Sequence, residues 1–349
     1  MSFTKEKKEK IKRYILEKVD NSQNDIAKRT AEAFQISLNT VYRYIRELEA
    51  NKIIKKRDSN NKKYELIKET HNYVYDRRET PDLQEDVVYD LCIKEYVEKL
   101  PLNVQKIWQY SFMEMMNNAI DHSESDIILI RVIQDYMNTM ILIADQGVGI
   151  FRKIRDYYNF PTLDDAVGEL FKGKLTTDTQ KHSGEGIFFT SRVLDTFAAF
   201  SDGKIFTHDK YNKILQDADE VESLSKQKDS RGTIILMSLS NYSKKILREV
   251  FNMFSDVDGG FTKTHVPIKN IFDTYPVSRS QAKRLCNRFE KFKVVELDFA
   301  DVEEIGQGFA HEIFVVFQKN HADIKIVPVN TNLEVEKMIN HVKNTEENN

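Results

Sequence analysis

The sequence predicts a mixed α/β chain in three parts: a helical head with a β-hairpin, an α+β sandwich in the middle, and a strand–helix α/β unit at the end. Three observations point there. Apolar residues recur at helical spacing three times before residue 50 and then give way to a short alternating stretch. Residues 126–144, DIILIRVIQDYMNTMILIA, read as two apolar strands around a polar turn at Asp135–Asn138. From residue 258 onward, strand and helix patterns alternate. At 349 residues the chain is also long for one ordinary core, which favours two or three domains.

In the head, residues 5–19 (KEKKEKIKRYILEKV) set Ile11, Ile15, Leu16 and Val19 at helical spacing. NSQNDIAKRTAEAF then brings cap-type residues ahead of Ile26, Ala27, Ala31 and Phe34. In QISLNTVYRYIRELEANKII, Asn39 is placed to cap a helix whose buried stripe is Val41, Ile45 and Leu48. That leaves Thr40, Tyr42, Arg43 and Arg46 outward. IIKKRDSNNKKYELI alternates as two strands around the turn formers Asp58–Asn61. Three helices and a basic hairpin, residues 1–67, resemble a winged helix-turn-helix. The resemblance implies that helix 39–50 enters the major groove of double-stranded DNA and that Lys62 and Lys63 of the wing meet phosphate. Residues 1–67 hold 17 Lys and Arg against 10 Asp and Glu, a net +7, in a chain whose total is −3, so the remainder carries −10. A basic head on an acidic body suits a polyanionic partner. The alternative is a helical hairpin used for dimerisation, but Arg, Tyr and Thr rather than leucines on the outer face favour DNA.

Composition speaks against a membrane protein. No apolar run approaches the roughly 20 residues of a membrane span, and Met1–Lys10 is lysine-rich with no apolar stretch behind it. Hydrophobic content of 40% supports packed cores, and 31% charge suits a soluble chain. Cys92 and Cys286, far apart in helix-like contexts, read as buried thiols in a reducing compartment, so a cytoplasmic location is expected.

Residues 68–85 have poor periodicity and contain Pro81, which reads as a linker. From Asp86 to His122 the pattern is helical, broken at KLPLN. Its last stretch, EMMNNAIDHSES, places Glu114, Asn118, Asp121 and His122 close to one helical face. DQGVGIF follows a strand, HSGEGIFFTSRVLDTF opens a helix at its glycines, GKIFTH reads as a strand, and GTIILMSL is another strand. In that order, Glu114…Asn118, Asp145-x-Gly147-x-Gly149, Gly184-x-Gly186 and Gly232-Thr233 resemble the GHKL ATPases, the superfamily of gyrases, histidine kinases and MutL proteins. The resemblance spans residues 86–240 and implies ATP and magnesium as cofactors.

The residue types suit that chemistry. The Asp145 carboxylate can accept a hydrogen bond from the exocyclic amine of adenine, and Gly147 and Gly149 let backbone pass close to the base. The amide oxygen of Asn118 is an apt single protein ligand for magnesium. Glu114, one turn earlier, is placed to orient or deprotonate an attacking water. The N–H groups after Gly184 and Gly186 form a phosphate cradle at a helix start. Thr233 matches the family's hydroxyl that joins the aspartate through water at adenine. His122 is similar to the histidine that lines the site in anti-sigma-type kinases. KLTTDTQKHSGEGI resembles the lid of that branch, which implies Lys181, His182 and Ser183 at the terminal phosphates. Phe188 departs from it, since many relatives carry a smaller residue there. Asp121 reads as solvated or lysine-paired. A Walker-type site is excluded, because no glycine-rich loop ends in Gly-Lys-Ser/Thr. His71, in ETHNYVYD, lacks the helical heptads of a phosphoacceptor helix.

After a connecting helix within 241–257, the segments SRSQAKRL, VVELDF and IGQGFAHEIF resemble the STAS-like domain often appended to GHKL ATPases, here residues 258–343 with a tail at 344–349. Where antagonist relatives carry a phosphorylated serine, this chain reads Ile305-Gly306-Gln307-Gly308, with no hydroxyl. That part is therefore expected to dock, with Gly306 and Gly308 allowing close approach to the ATPase part or to a second subunit. The expectation is an ATP-binding regulatory switch, a DNA-binding transcription regulator with a possible homodimer or protein partner through the STAS-like part. The alternatives are a serine/threonine protein kinase of the anti-sigma type and an ATP-gated assembly sensor.

Overall fold

Helical spacing before residue 50 yields three helices in the computed structural model, which describes residues 3–21, 24–56, 64–175, 184–208, 232–272 and 275–347. They are α1 (Lys5–Asp20), α2 (Ile26–Phe34) and α3 (Leu38–Ala50). Ile11, Ile15, Leu16, Val41, Ile45 and Leu48 are buried together, so the amphipathic stripes face one another. The N-cap of α3 is Ser37 rather than Asn39. The Ser37 hydroxyl accepts from the Thr40 amide at 3.3 Å, and Asn39 is exposed in the first turn. Serine caps as well as asparagine, so the helix starts at the earlier of two adequate signals. β1 (Ile54–Lys56) and β2 (Tyr64–Leu66) pair antiparallel, Ile54 opposite Leu66. The hairpin tip, with Lys62 and Lys63, lies outside the described residues.

A six-stranded antiparallel sheet forms the middle, in the order β3-β4-β5-β8-β6-β7. Its strands are β3 (Glu69–Asp76), β4 (Ile127–Gln134), β5 (Asn138–Asp145), β6 (Thr196–Ser201), β7 (Lys204–Thr207) and β8 (Thr233–Ser240). The helices are α4 (Glu85–Cys92), α5 (Lys94–Val97), α6 (Leu102–His122), α7 (Ile150–Tyr158), α8 (Leu163–Lys172) and α9 (Gly186–Val193). Alternate residues of one sheet face, among them Ile128, Ile130, Ile141, Ile143 and Met237, share a core with Trp108, Phe112 and Met116 of α6.

Two segments differ from the sequence-based expectation. Residues 69–76, which read as linker, are edge strand β3, running from Glu69 opposite Gln134 to Asp76 opposite Ile127. Its period of two is real, with His71, Tyr73 and Tyr75 half-buried and Asn72 and Val74 exposed. Amphipathic rings on an edge strand blur the polar–apolar contrast that periodicity depends on. The helix opened by Gly184 and Gly186 ends at Val193, and the rest of that stretch, from Thr196, is strand β6.

Beyond α10 (Leu247–Phe254), three parallel strands in the order β11-β10-β9 build the C-terminal unit. They are β9 (Lys263–Pro267), β10 (Val294–Asp298) and β11 (Lys325–Val329). α11 (Ile268–Ile271) and α12 (Arg279–Cys286) connect β9 to β10, with Ser278 capping α12 through a capping box with Gln281. α13 starts at Gln307–His311 and continues through a π-helical stretch, Glu312–Phe317, into Gln318–Asn320. α14 is Leu333–Glu347, so residues 344–347 belong to the last helix and not to a tail. Gly306 lies against its own unit: a Cβ there would stand 2.6 Å from the Val277 backbone, and Phe309 N–H donates to the Val277 carbonyl at 3.2 Å.

Both ends of the chain are seated on the middle. Met137, in the β4–β5 turn, is buried in the core of the head, and the Arg13 guanidinium lies 4.4 Å from the centre of the Tyr242 ring. At the other junction Phe188 packs on Phe261, with ring centres 4.6 Å apart, and on Phe254 at 4.9 Å. The large residue that departs from the GHKL pattern fills this contact. Cys92 and Cys286 are buried free thiols. Among the described residues no helix is long and apolar enough to cross a membrane.

Candidate functional site

Helical repeat places Glu114, Asn118 and His122 half-buried along α6, above the buried Met115, Met116 and Ala119. Asp121 is exposed and does not line the site. Opposite α6, β5 ends at Asp145, and β8, α7, α8 and α9 supply the remaining walls. Together they enclose a cavity of about 310 Å³, lined by Glu114, Asn118, His122, Asp145, Gly149, Gly184, Gly186 and Thr233. These residues come from four stretches far apart in sequence. Lys181, His182 and Ser183 lie outside the described residues.

Two backbone amides hold the Asp145 carboxylate. Gly147 N–H donates to Oδ1 at 2.8 Å and Thr233 N–H to the same oxygen at 3.3 Å. Burial pushes the Asp145 pKa up to about 6, while both amides pull it down. The Thr233 hydroxyl accepts from Ile150 N–H at 3.0 Å, tying β8 to the start of α7.

Gly147 does not line the cavity. A Cβ there would overlap the Ser123 carbonyl oxygen, which already accepts from Val148 N–H at 2.8 Å. Its lack of a side chain therefore lets the turn close against the end of α6. Gly186 is different: a Cβ there would overlap Glu114 Oε2, so the start of α9 abuts the Glu114 carboxylate inside the cavity. Leu175 N–H donates to the Gly184 carbonyl at 3.0 Å, joining the two walls.

Sequence reasoning missed Lys153. It lines the cavity from α7, and its ammonium donates to the His122 carbonyl at 2.8 Å and to Glu124 at 3.0 Å. In FRKIRD nothing separates it from Arg152 and Arg155, which pair instead with Asp202 and Asp156.

On the head, Asn39, Tyr42, Arg43 and Arg46 are exposed on α3 and Thr40 is half-buried. Arg46 Nε donates to the Tyr42 carbonyl at 3.3 Å. The exposed face of α3 thus carries two guanidinium groups and an aromatic ring.

Residues 281–336 match the family described as a STAS-like domain of unknown function (DUF4325). The matched residues run from α12 through β10, α13 and β11 into α14, so the C-terminal unit is STAS-like. No curated protein matches the chain.

Proposed function

We propose that the chain is a Mg-ATP-binding switch of the GHKL type, in which nucleotide occupancy governs a DNA-binding winged-helix head and the STAS-like domain. One observation carries this function: Glu114, Asn118, Asp145, Thr233 and the glycines at 149, 184 and 186 converge on one cavity. Its volume of about 310 Å³ is at the lower end of ordinary ligand pockets. With both amides on Asp145 Oδ1, Oδ2 is the acceptor for the adenine amine. Asn118 offers its amide oxygen to magnesium, one turn from Glu114, which faces the start of α9. The N–H groups at that helix start receive phosphate, and Lys153 adds a cation to the same cavity. Magnesium, when bound, would neutralise charge on the phosphates.

Glu114→Ala should retain nucleotide and lose turnover, which release of labelled phosphate would measure. Equal hydrolysis by both proteins would rule out the general-base role.

DNA binding tests the regulatory half. Full-length protein should bind duplex DNA with an affinity that drops steeply with salt, as lysine and arginine displace counterions, and the affinity should change on adding Mg-ATP. Arg43→Ala and Arg46→Ala should each cost about 1–3 kcal/mol of discrimination between sequences. Lys62→Ala with Lys63→Ala should weaken all duplexes alike and flatten the salt slope. A protein that ignores duplex DNA at every salt concentration would leave the head as a protein-interaction module.

A further inference from the structure

On the strength of that nucleotide function, we infer that Arg288 is a positioning residue for the cavity. From the STAS-like domain it holds the wall running from Leu170 to Leu175, so that nucleotide occupancy and the seating of this domain are coupled. α8 has two working faces. Leu170, and then Gly173 and Leu175 just past its end, line the cavity. Glu169 and Lys172 face the STAS-like domain and are 4% and 2% exposed, while Arg288 is 7% exposed.

These three charges form a closed set. Lys172 Nζ donates to Glu169 Oε1 at 2.5 Å, to the Asn287 carbonyl at 2.9 Å and to the Arg284 carbonyl at 3.3 Å. Arg288 Nη1 donates to Glu169 Oε2 at 3.1 Å, and Nη2 donates to the Lys174 carbonyl. The Arg288 guanidinium also lies 5.0 Å from the centre of the Tyr158 ring at the end of α7. Thr264, on β9, donates its hydroxyl to the Lys172 carbonyl at 2.7 Å. Gly173 is therefore fixed on both sides by the C-terminal half of the chain, at the carbonyls of Lys172 and Lys174.

A buried charge set tolerates little distortion. Moving one member leaves the others desolvated and unpaired, so the wall and the STAS-like domain shift together or not at all. A ligand that prefers one arrangement of the wall must then also prefer one seating of the domain, and the coupling is reciprocal. The head is held elsewhere. Met137, at the opposite end of β5 from Asp145, carries that contact. The STAS-like domain is thus the part mechanically joined to the cavity wall.

The test uses full-length protein. Mg-ATP affinity is measured by calorimetry for wild type, Arg288→Met, Arg288→Lys and Val335→Ala, the last a core truncation at the start of α14, which packs on α13. Backbone hydrogen exchange is followed across 284–291 with and without Mg-ATP. Arg288→Met should weaken Mg-ATP about tenfold, within the usual range for coupled sites. Arg288→Lys should recover part of that loss, and Val335→Ala should bind as wild type does. In wild type, Mg-ATP should slow exchange across 284–291, and this readout stands alone if Arg288→Met fails to fold. Mg-ATP binding with unchanged exchange there, or undiminished affinity in folded Arg288→Met, would overturn the coupling and leave the nucleotide function intact. Wild type that takes up no Mg-ATP would overturn both.

Discussion

Glu169→Ala should lower the unfolding free energy by about 3–5 kcal/mol, because it strands two buried cations. Lys172 and Arg288 would lose their shared carboxylate at sites where they are 2% and 7% exposed. Lys172 would keep the Arg284 and Asn287 carbonyls, which satisfy hydrogen bonds without neutralising charge. Trp108, the single tryptophan, is fully buried in the shared core and reports urea unfolding directly. Replacing all three charged residues by methionine should recover most of the loss, since well-packed apolar groups often match a buried ionic set. A cost below about 1 kcal/mol for Glu169→Ala would be that of a surface pair and would contradict burial of the set.

Asp145→Asn should weaken Mg-ATP by about 1–3 kcal/mol, roughly 5- to 150-fold, while leaving the fold intact. The new amide oxygen can go on accepting from the Gly147 and Thr233 amides, as Oδ1 does. Its NH2 would then stand where Oδ2 is proposed to meet the adenine amine, donor against donor. The pH dependence follows from the raised pKa of about 6. An unfolded aspartate titrates near about 3.9, so ionisation of Asp145 penalises the folded state increasingly from there up to about 6 and fully above it. Asp145→Asn removes that penalty and should unfold at or above the wild-type temperature at pH 7. Wild-type Mg-ATP affinity should fall as pH drops through about 6, with the Asp145-dependent step absent in Asp145→Asn. Unchanged Mg-ATP affinity in folded Asp145→Asn would rule out the adenine contact.

The strands and stripes that bury one face cleanly were legible in the sequence. Val41, Ile45 and Leu48 of α3, and the paired strands around Asp135–Asn138, lie where their periodicity puts them. β3 was not legible, because histidine and tyrosine facing inward from an edge look polar. Nor was the boundary at Val193, where a glycine-opened helix runs into a phenylalanine-rich strand with only Leu194 and Asp195 between them. Within the site, Glu114, Asn118 and Asp145 stood out because their spacing carries chemistry. Lys153 and Arg288 did not, since each is one basic residue among several and only the fold decides which reaches a carbonyl or a buried carboxylate. Asn39 lost the capping position to Ser37, two residues away, because short polar side chains compete for a helix start on nearly equal terms.

Calorimetric titration of the full-length chain with ATP and, separately, GTP, each with and without magnesium, tests the central claim most directly. In the proposed function the adenine amine would donate to Asp145, whereas guanine presents a carbonyl oxygen at that position and would set acceptor against acceptor. The account predicts saturable binding of ATP that depends on magnesium, and much weaker binding of GTP. No uptake of ATP, or equal affinity for GTP, would contradict it.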